Sequence, residues 1–478
     1  MSGERVPTRS KFRALAGPLG ARRRPIVAVL LVAAALRALL LVASADAQPK
    51  IVDERHYLRL AGNIADGHGF ATAPGRPTSM RPPLFPALIA GLWTATGTRS
   101  LLTVRTAQAV ISLLTVWLVF LLGRALAGER AGLIAAAIVA FYPSLLFSNV
   151  LVLTEPLFTG LLVAFALAYV RYLRTDHLAV AAGAGALLAC AALTRSVMWP
   201  FPLLLAPLTL MAGPGTLPRR AQAALVLVLA CGVVIAPWAL RNTRLQGVFT
   251  VVDTMGGMNL RMGNYEHTPE DRMWSAVAIR GEQNWSYELK RLYPDGIKWT
   301  DGQKEKWAAR RALAYMWANP GLTLRRSAIK FADFWGLERD YLGGVRQGLY
   351  RPSRGAAFAI AAVTTGAYIA LTILAVLAVF LVPPDDRRGH AVLLGIMAFI
   401  CAVHTVVFGH PRYHLPLVPL LAVYAATAID RRAWRGARAR VPALLAPAAA
   451  VCLLLFIWTR QVVTTDAARI RELMDKVG

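Results

Sequence analysis

Charged residues, and carboxylates above all, are scarce in this sequence. Only 17% of its 478 residues are charged, whereas a soluble globular chain carries about 25%. The 53 basic residues outnumber the 26 acidic ones and give a net charge of +27. So few charges argue against a soluble globular protein, and each carboxylate near an apolar segment needs its own explanation.

Cysteines are also few. The four are Cys190, Cys231, Cys401 and Cys452, and each lies inside an apolar run. No pair has a metal-ligand spacing, so the sequence argues against both a disulfide framework and a cysteine zinc site. We interpret them as small apolar packing residues. A glycine-rich nucleotide-binding loop is absent from the sequence as well.

Apolar residues are abundant instead, at 56% of the chain with a mean hydropathy of +0.48. They form long runs such as Pro25–Ser44, Ala221–Leu240 and Ala356–Val382, and about 20 apolar residues suffice to cross a bilayer core. We predict an all-α, polytopic integral membrane bundle of about eleven transmembrane helices. The predicted spans are residues 25–44, 101–124, 131–149, 155–173, 178–194, 197–212, 221–240, 355–382, 390–408, 414–429 and 442–459.

The basic residues predict the orientation of these spans. Placing the basic N-terminus in the cytoplasm puts a cluster of arginines in every cytoplasmic loop, as the positive-inside rule requires. These clusters are Arg124/Arg130, Arg171/Arg174, Arg219/Arg220, Arg387/Arg388 and the run Arg431–Arg440. The positive charge therefore indicates membrane topology and not a nucleic-acid partner. We predict that the first span is a retained anchor, because no convincing signal-peptide cleavage site follows it.

This orientation places two long segments on the outer side. The predicted division is a cytoplasmic N-terminus (1–24), a catalytic core (25–240) with its outer loop (45–100), an outer loop (241–354), C-terminal spans (355–459) and an outer tail (460–478). In the first loop, helical spacing from Tyr57 to Ile64 predicts a short amphipathic helix that DGHG ends. The run RPPLFPALIAGLW is too short to span and suits an interfacial helix. Periodicity over Gly302–Trp335 predicts another helix, within a loop rich in tryptophan.

The acid pair Asp53-Glu54 directly follows the first span. It could simply cap the next helix, since the helix dipole favours a carboxylate at that end. However, Arg81, Glu155, Arg195 and Arg412 also fall on the predicted outer side. Charges that are distant in sequence but share one membrane face indicate a polar pocket.

Several motifs together resemble the GT-C superfamily of integral-membrane glycosyltransferases. They are VDERHYLRLAGNIADGHGF followed by RPPLFP, then LTEPLF, LTRS, PWALRN and PRYHLPLVPLLAVYA, in the expected order over residues 25–430. The pattern is similar to the protein O-mannosyltransferase and lipid A aminoarabinose transferase group, glycosyltransferase family 39. The acid pair in the first loop is the most specific of these elements.

This resemblance implies transfer of a sugar from a polyprenyl-phosphate donor to a lipid, glycan or protein acceptor, with inversion, at the outer face of the cell membrane. It implies that Asp53 is the catalytic or acceptor-positioning acid, with Glu54 beside it. A carboxylate can take the acceptor proton, and arginine suits a phosphate. Candidate phosphate-binding residues are Arg81, Arg195, Arg241, Arg412 and Tyr413, and further pocket candidates are Glu155, His56, His410 and His414.

One departure from the family pattern concerns a second acid. Some relatives carry another carboxylate just before the position of Arg81, but the segment ATAPGRPTSM has none. Asp66 and Glu155 are the substitutes that the sequence offers. We predict that no cofactor is required, although the acid pair could hold a divalent metal ion.

Two other functions remain open at this point. A transporter or flippase would fit a polytopic chain, but the sequence has no paired inverted halves and no carboxylates in the middle of spans; the charges lie at span ends. A polysaccharide polymerase or ligase would also transfer a glycan, but from a diphosphate-linked donor.

Overall fold

The computed structural model describes residues 24–270, 273–292, 299–338, 353–433 and 441–467. The predicted cytoplasmic N-terminus, residues 339–352 of the long loop, most of the run Arg431–Arg440 and the end of the tail lie outside these ranges. The described residues are mainly helical. Their only strands, β1 (Ala71–Ala73) and β2 (Arg76–Pro77), form a small antiparallel hairpin.

The helices follow one another along the chain. The first ten are α1 (Arg24–Ala43), α2 (Val52–Ala65), α3 (Leu84–Thr96), α4 (Leu101–Ala127), α5 (Glu129–Phe141), α6 (Pro143–Ser148), α7 (Glu155–Thr175), α8 (Leu178–Ala192), α9 (Phe201–Ala212) and α10 (Leu217–Gln246). The others are α11 (Gly256–Gly263), α12 (Tyr287–Leu292), α13 (Asp301–Ala318), α14 (Pro320–Phe334), α15 (Arg354–Leu381), α16 (Arg387–Val406), α17 (Val418–Asp430) and α18 (Val441–Gln461). A 3₁₀ turn at Ser196–Met198 precedes α9, and another at Pro411–Leu417 leads into α17.

The predicted all-α membrane bundle is confirmed. Within the described residues, eight helical segments are long and apolar enough to cross a membrane. They are Arg24–Ala43, Leu101–Ala127, Glu155–Thr175, Leu217–Gln246, Gly355–Leu381, Arg387–Val406, Pro411–Asp430 and Leu444–Thr464. Helix α10 runs to Gln246, beyond the predicted end of its span at residue 240.

Fewer segments reach spanning length than the eleven that we predicted. The segments predicted at 178–194 and 197–212 are apolar helices of only 10–17 residues. The segment predicted at 131–149 is divided into α5 and α6, because Tyr142 is extended (φ −67°, ψ 119°) and Pro143 begins a new helix. Proline lacks the N–H that would continue the preceding helix.

The spanning helices pack closely where small residues face one another. A Cβ atom on Gly132 of α5 would lie only 2.6 Å from the carbonyl oxygen of Phe120 in α4. A Cβ on Gly185 of α8 would lie 2.3 Å from the carbonyl oxygen of Leu227 in α10. Small residues at helix interfaces allow backbones to approach in this way. Substitution of either glycine would force the two helices apart.

The predicted cytoplasmic loops meet at one end of the bundle. Arg174 lies 2.7 Å from Asp386, and Arg431 lies 2.7 Å from Asp385. Arg130 is 3.3 Å from Asp430, and Arg219 is 3.3 Å from Asp176. These pairs join five loops that the positive-inside rule assigned to the same side, so the structure places those loops together.

Two arginines are buried within helices: Arg37 lies in the middle of α1 and departs from the expectation that charges lie at span ends, whereas Arg105 lies near the start of α4. Arg37 is buried within α1 and donates to Ser112 and to the carbonyl oxygen of Ala140. Arg105 is buried in α4 and donates to three carbonyl oxygens, those of Ser44, Ala47 and Val150. Because their donors are satisfied internally, both side chains can remain away from water.

The segment predicted as the first outer loop, called here the first outer segment, folds as a compact layer. Tyr57 and Ala61 of α2 pack against Phe85 and Ile89 of α3, in agreement with the predicted amphipathic helix and the short helix after it. DGHG ends α2 as predicted, and both of its glycines have positive φ, +78° at Gly67. Substitution there would be strained, because L-residues rarely adopt this conformation.

The long loop after α10 is also helical, and its periodic stretch over Gly302–Trp335 forms two helices. Helix α13 begins with a capping box in which Thr300 and Gln303 satisfy each other's backbone amides. It ends before Asn319, and Pro320 begins α14. Proline explains the break for the same reason as at Pro143.

Candidate functional site

Five charged side chains meet at the end of the bundle opposite the basic loops. Nη2 of Arg81 lies 2.6 Å from Oδ1 of Asp53, and Nη1 of Arg412 lies 3.6 Å from Oδ2 of Asp53. Nε of Arg412 lies 2.5 Å from Oε1 of Glu155, and Nη1 of Arg195 lies 3.1 Å from the same oxygen. We call these five residues the charge cluster. The structure thus brings together the residues that the sequence placed on one membrane face.

The position of each charge follows from the element that carries it. Asp53 lies in the first turn of α2, and Glu155 is the first residue of α7. The positive end of a helix dipole favours a carboxylate at both positions. Arg195 lies in the extended connection after α8, and Arg412 lies on the 3₁₀ turn after α16. Four segments of the chain therefore converge on one site.

The two carboxylates of the cluster differ in their access to solvent. The side chain of Glu155 is 2% exposed and is paired with two guanidinium groups. A buried carboxylate is tolerated only with such partners. Asp53 is 29% exposed, and Arg81 and Arg412 are open to a similar extent. A ligand can therefore reach the cluster at Asp53, Arg81 and Arg412. Glu155 is buried and pairs with Arg195 and Arg412.

His56 and Tyr57 border the cluster next to Arg81. Nε of Arg81 donates to Nδ1 of His56 at 3.4 Å, and its guanidinium lies 5.6 Å from the centre of the Tyr57 ring. Burial, and then the charges of Arg81 and Arg59, lower the pKa of His56. Burial opposes the charge of Arg81, but Tyr57, Asp53 and Asp253 outweigh it and raise the arginine's pKa. Arg81 is therefore a permanent cation beside a neutral imidazole.

Tyr413 and His410, two of the candidate site residues, lie at the opposite edge of the cluster. The guanidinium of Arg195 lies 5.8 Å from the centre of the Tyr413 ring, and His404 stacks on that ring at 4.2 Å. Nδ1 of His410 accepts from the backbone N–H of Arg412 at 3.1 Å and so fixes the turn. His404 was not among the predicted site residues, and it contacts the ring of Tyr413.

Glu54 is not part of the charge cluster. Its carboxylate accepts from the backbone N–H groups of Lys50, Ile51 and Val152, the last at 2.9 Å. The side chain is 1% exposed. It therefore caps α2 and ties it to the chain before α7, which matches the capping alternative for the acid pair. Asp66, one proposed substitute for a second acid, instead pairs with Arg99 at the surface.

Arg241 and His414 also lie apart from the charge cluster. Arg241 donates to the carbonyl oxygens of Phe70 and Thr78, both at 2.9 Å, and stacks on Trp238. It thereby clamps the first outer segment onto α10. His414 is fully buried, with Nδ1 2.5 Å from the carbonyl oxygen of Phe334 and Nε2 3.3 Å from Glu338.

Two acids that the sequence analysis did not select have defined positions. Glu338 is buried and accepts from the hydroxyl groups of Tyr142 and Ser144, besides its contact with His414. Asp253 lies between α10 and α11, close enough to Arg81 for their charges to affect each other. Its only sequence signal is an isolated acid in the otherwise uncharged stretch TVVDTMGG, just after α10.

No metal centre stands out in the part of the chain that the structure describes. None of its histidine, cysteine, aspartate or glutamate side chains form a group of three or more that could hold an ion. The four cysteines are free thiols; Cys231 and Cys401 are buried, as packing residues would be, whereas Cys452 is exposed.

Comparison with known proteins gives a partial family match. Residues 80–240 match the family described as dolichyl-phosphate-mannose-protein mannosyltransferase. A search of curated proteins gives no match. The matched segment contains Arg81, Glu155 and Arg195 of the charge cluster.

Solved structures resemble the chain over most of its length. The apo oligosaccharyltransferase of Archaeoglobus fulgidus is 17% identical, with a TM-score of 0.51, over 90% of this chain and 54% of that one. ArnT from Cupriavidus metallidurans, solved with undecaprenyl phosphate, is 13% identical with a TM-score of 0.41, over 88% of this chain and 79% of that one. The chain thus spans about half the length of the archaeal enzyme. We conclude that this is a multi-pass membrane protein that shares its fold with the archaeal oligosaccharyltransferase, and that its residues 80–240 match the mannosyltransferase family model.

Proposed function

We propose that this protein is a glycosyltransferase that moves a sugar from a polyprenyl-phosphate donor to an acceptor at the outer face of the cell membrane, with inversion. The acceptor is a glycolipid, a cell-envelope glycan or a protein. The charge cluster is the observation that carries this proposal. Three guanidinium groups face two carboxylates there, at one end of a GT-C bundle.

The positive charges suit the phosphate of the donor. A sugar phosphodiester is an anion, and its charge grows as the bond to the sugar breaks. Guanidinium groups form paired, charge-assisted hydrogen bonds with phosphate oxygens. Arg81 and Arg412 are both partly exposed and share Asp53 as a partner. They are therefore our candidates for direct contact with the phosphate, while Arg195 and Glu155 fix the direction of Arg412.

The carboxylates suit the acceptor side. In an inverting transfer the acceptor oxygen attacks the anomeric carbon from the face opposite the phosphate. The C–O bond to the phosphate breaks with its electron pair on the phosphate oxygen, and the acceptor loses a proton. Asp53 is the open carboxylate of the cluster and touches both candidate phosphate-binding arginines. We assign it to the junction between donor and acceptor.

A membrane bundle also suits such a donor, because a polyprenyl chain stays in the lipid while its phosphate reaches the surface. The arginine-rich loops lie at the end opposite the charge cluster. The positive-inside rule then assigns the cluster to the extracytoplasmic side. The family that matches residues 80–240 is described by a dolichyl-phosphate sugar, which supports a donor of the same chemical class.

A turnover assay with defined donors tests the proposal. The purified full-length protein would be incubated with undecaprenyl phosphate carrying mannose, glucose, arabinose or aminoarabinose, together with membranes of the source organism. We expect release of undecaprenyl phosphate and appearance of the labelled sugar in a membrane fraction with at least one donor. An undecaprenyl-diphosphate glycan serves as the comparison for polymerase or ligase activity.

The outcomes separate the competing functions. Turnover of a monophosphate donor supports the proposal. Turnover of the diphosphate-linked glycan alone would identify a polymerase or ligase instead. Movement of an intact lipid-linked sugar across proteoliposomes, without cleavage of any donor, would identify a flippase.

A further inference from the structure

The turn that carries Arg412 is anchored to the bundle by a second residue, His414. The two side chains are two residues apart on the same 3₁₀ turn. His414 is fully buried, and its Nδ1 lies 2.5 Å from the carbonyl oxygen of Phe334. Its Nε2 lies 3.3 Å from Oε1 of Glu338. Both partners belong to residues 334–338 at the end of α14, which we call the anchor segment.

The anchor segment is itself fixed by two spanning helices. The carbonyl oxygen of Trp335 accepts from the hydroxyl group of Tyr368 in α15 at 3.0 Å and from the indole N–H of Trp458 in α18 at 2.9 Å. The backbone N–H of Leu337 donates to the side chain of Gln461 at 2.7 Å. A polar network with its partners present is stiff. The anchor segment therefore offers His414 a defined position.

Glu338 is held from a third side by the break between α5 and α6. Its Oε1 accepts from the hydroxyl group of Tyr142 at 2.8 Å, and its other oxygen accepts from the hydroxyl group of Ser144. All three side chains are buried. The interruption of the helix at Tyr142 thus supplies donors to a buried carboxylate, which would be costly without them.

The hydrogen bonds of His414 require both of its partners. A carbonyl oxygen can only accept, so Nδ1 must donate to Phe334. A neutral imidazole has one N–H group, and its other nitrogen is an acceptor. One proton therefore has to lie between Nε2 and the carboxyl group of Glu338. His414 and Glu338 form a pair that neither residue can make alone.

Aromatic rings fix the plane of the His414 ring. It stacks on Tyr368 at 4.6 Å with an angle of 9° between the planes, and on Trp335 at 6.3 Å with an angle of 11°. A phenylalanine at this position can keep both ring contacts but makes no hydrogen bond. The hydrogen bonds of His414 can therefore be removed separately from its packing.

Stability alone does not account for a polar pair at this place. Titratable side chains within a membrane bundle are costly, and an apolar pair of similar volume is often as stable. Hydrogen bonds instead set a distance and a direction. Here they set the distance between the anchor segment and a turn whose Arg412 lies 2.5 Å from Glu155 and 3.6 Å from Asp53.

We propose that His414 and Glu338 are positioning residues of the glycosyl transfer, which hold the turn so that Arg412 meets the phosphate of the donor. This inference rests on the proposed function. The pair touches neither donor nor acceptor and acts only through the turn. Its effect on phosphate binding should therefore exist only while Arg412 is present.

A double-mutant cycle in the full-length protein tests this dependence. We expect His414→Phe to weaken the binding of undecaprenyl phosphate about 10-fold, since a misplacement of about 1 Å can cost about 100-fold. In the Arg412→Ala background the same substitution should change the affinity by less than about 2-fold, the range for sites that do not interact. Titration calorimetry in detergent measures all four proteins, and thermal unfolding reports their stability.

Tyr424→Phe is the matched control. Tyr424 is a buried residue of α17 whose hydroxyl group lies 2.9 Å from Nδ1 of His390, next to the basic loops. It also removes a buried hydrogen bond to a histidine, but far from the turn in the chain. Tyr424→Phe should leave the affinity for undecaprenyl phosphate unchanged even where it lowers the melting temperature.

A second variant approaches the pair from its other member. Glu338→Leu leaves the ring of His414 and its bond to Phe334 in place, but removes the carboxylate that Nε2 faces. It should weaken binding in the same direction as His414→Phe, and again only while Arg412 is present. Glu338→Leu decides the question if His414→Phe fails to fold.

The results that contradict the two proposals differ. Unchanged affinity in a folded His414→Phe or Glu338→Leu protein, or an equal loss with and without Arg412, restricts the pair to a structural role and leaves the proposed function intact. Failure of the native protein to cleave any donor of the undecaprenyl-phosphate panel rejects the proposed function, and this inference with it.

Discussion

Arg412 reaches across the bundle to Glu155, and its Nε lies 2.5 Å from Oε1 of that buried carboxylate. The same guanidinium group presents Nη1 to Asp53 at 3.6 Å. One arginine thus links a buried structural acid with an open acid of the charge cluster. The pair with Glu155 gives Arg412 a structural role that is an alternative to phosphate binding. A donor contact therefore has to be tested directly.

We predict that Arg412→Ala weakens binding of undecaprenyl phosphate by about 1.5–3 kcal/mol, the value of a charged hydrogen bond. Arg412→Lys should recover part of the affinity, because it restores the charge but not the planar fork. Titration calorimetry in detergent would measure both. Normal binding by Arg412→Ala, combined with a lower melting temperature, would restrict the residue to its structural role with Glu155.

We expect Asp53→Asn to insert and fold but to lose at least about 100-fold in turnover, within the range for loss of a catalytic carboxylate. The amide cannot pair with Arg81 and Arg412, so the two guanidinium groups lose their common partner. Asp66→Asn is the matched control, since Asp66 is an outer acid of the same segment that pairs only with Arg99 among the described ion pairs. Near-native turnover of Asp53→Asn would remove Asp53 from the mechanism.

Glu54 should behave differently from its neighbour. Because its carboxylate accepts from three backbone N–H groups, Glu54→Gln should lower the melting temperature. The Glu54→Gln protein that folds correctly should keep its turnover. Loss of a cap costs about 1 kcal/mol, and more where buried donors are left unpaired. Thermal unfolding and turnover measured on one preparation test this. A large loss of turnover at unchanged melting temperature would return Glu54 to the active site.

The orientation of the chain is open to cysteine labelling. In a background without native cysteines, single cysteines in place of Arg76 and Ala318 should react with a membrane-impermeant maleimide in intact cells. One in place of Arg388 should react only after the cells are opened. All three native positions are exposed in the structure, so protein packing does not hide them. Labelling of the Arg388 position alone would invert the assignment and place the charge cluster in the cytoplasm.

Lys330 predicts a pH dependence of stability. Its amine is buried, donating to Asn264 and to the carbonyl oxygen of Val406, and burial lowers its pKa to about 7. The unfolded chain binds the proton up to a higher pH, so the free energy of unfolding should rise as the pH increases above 7. The gain is about 2 kcal/mol between pH 7 and 8.5. In Lys330→Met the free energy of unfolding should depend less on pH in this range. An unchanged pH dependence in Lys330→Met would contradict the assignment.

The sequence by itself determined the class of protein and its orientation pattern. Long apolar runs can be satisfied only in a bilayer, and helices satisfy their own backbone hydrogen bonds there. The local sequence also determined that α2 ends at DGHG and that a short helix begins within RPPLFP. The sequence pattern did not locate the interruption at Tyr142, because apolar composition continues through it. It did not locate the break at Pro320 either, because helical periodicity continues there.

Only the tertiary structure decided which charges form the site. The sequence predicted four of these residues from their position at one membrane face: Asp53, Arg81, Glu155 and Arg412. Which of them pair depends on how the segments that carry them converge. The two adjacent acids have different partners: Asp53 lies in the charge cluster, whereas Glu54 accepts from backbone N–H groups. Asp253 carried no recognisable motif, and its relation to Arg81 arises from the buried hydrogen bonds that join α10 to the first outer segment. A sequence pattern encodes which elements form, but contacts between distant side chains depend on how those elements pack.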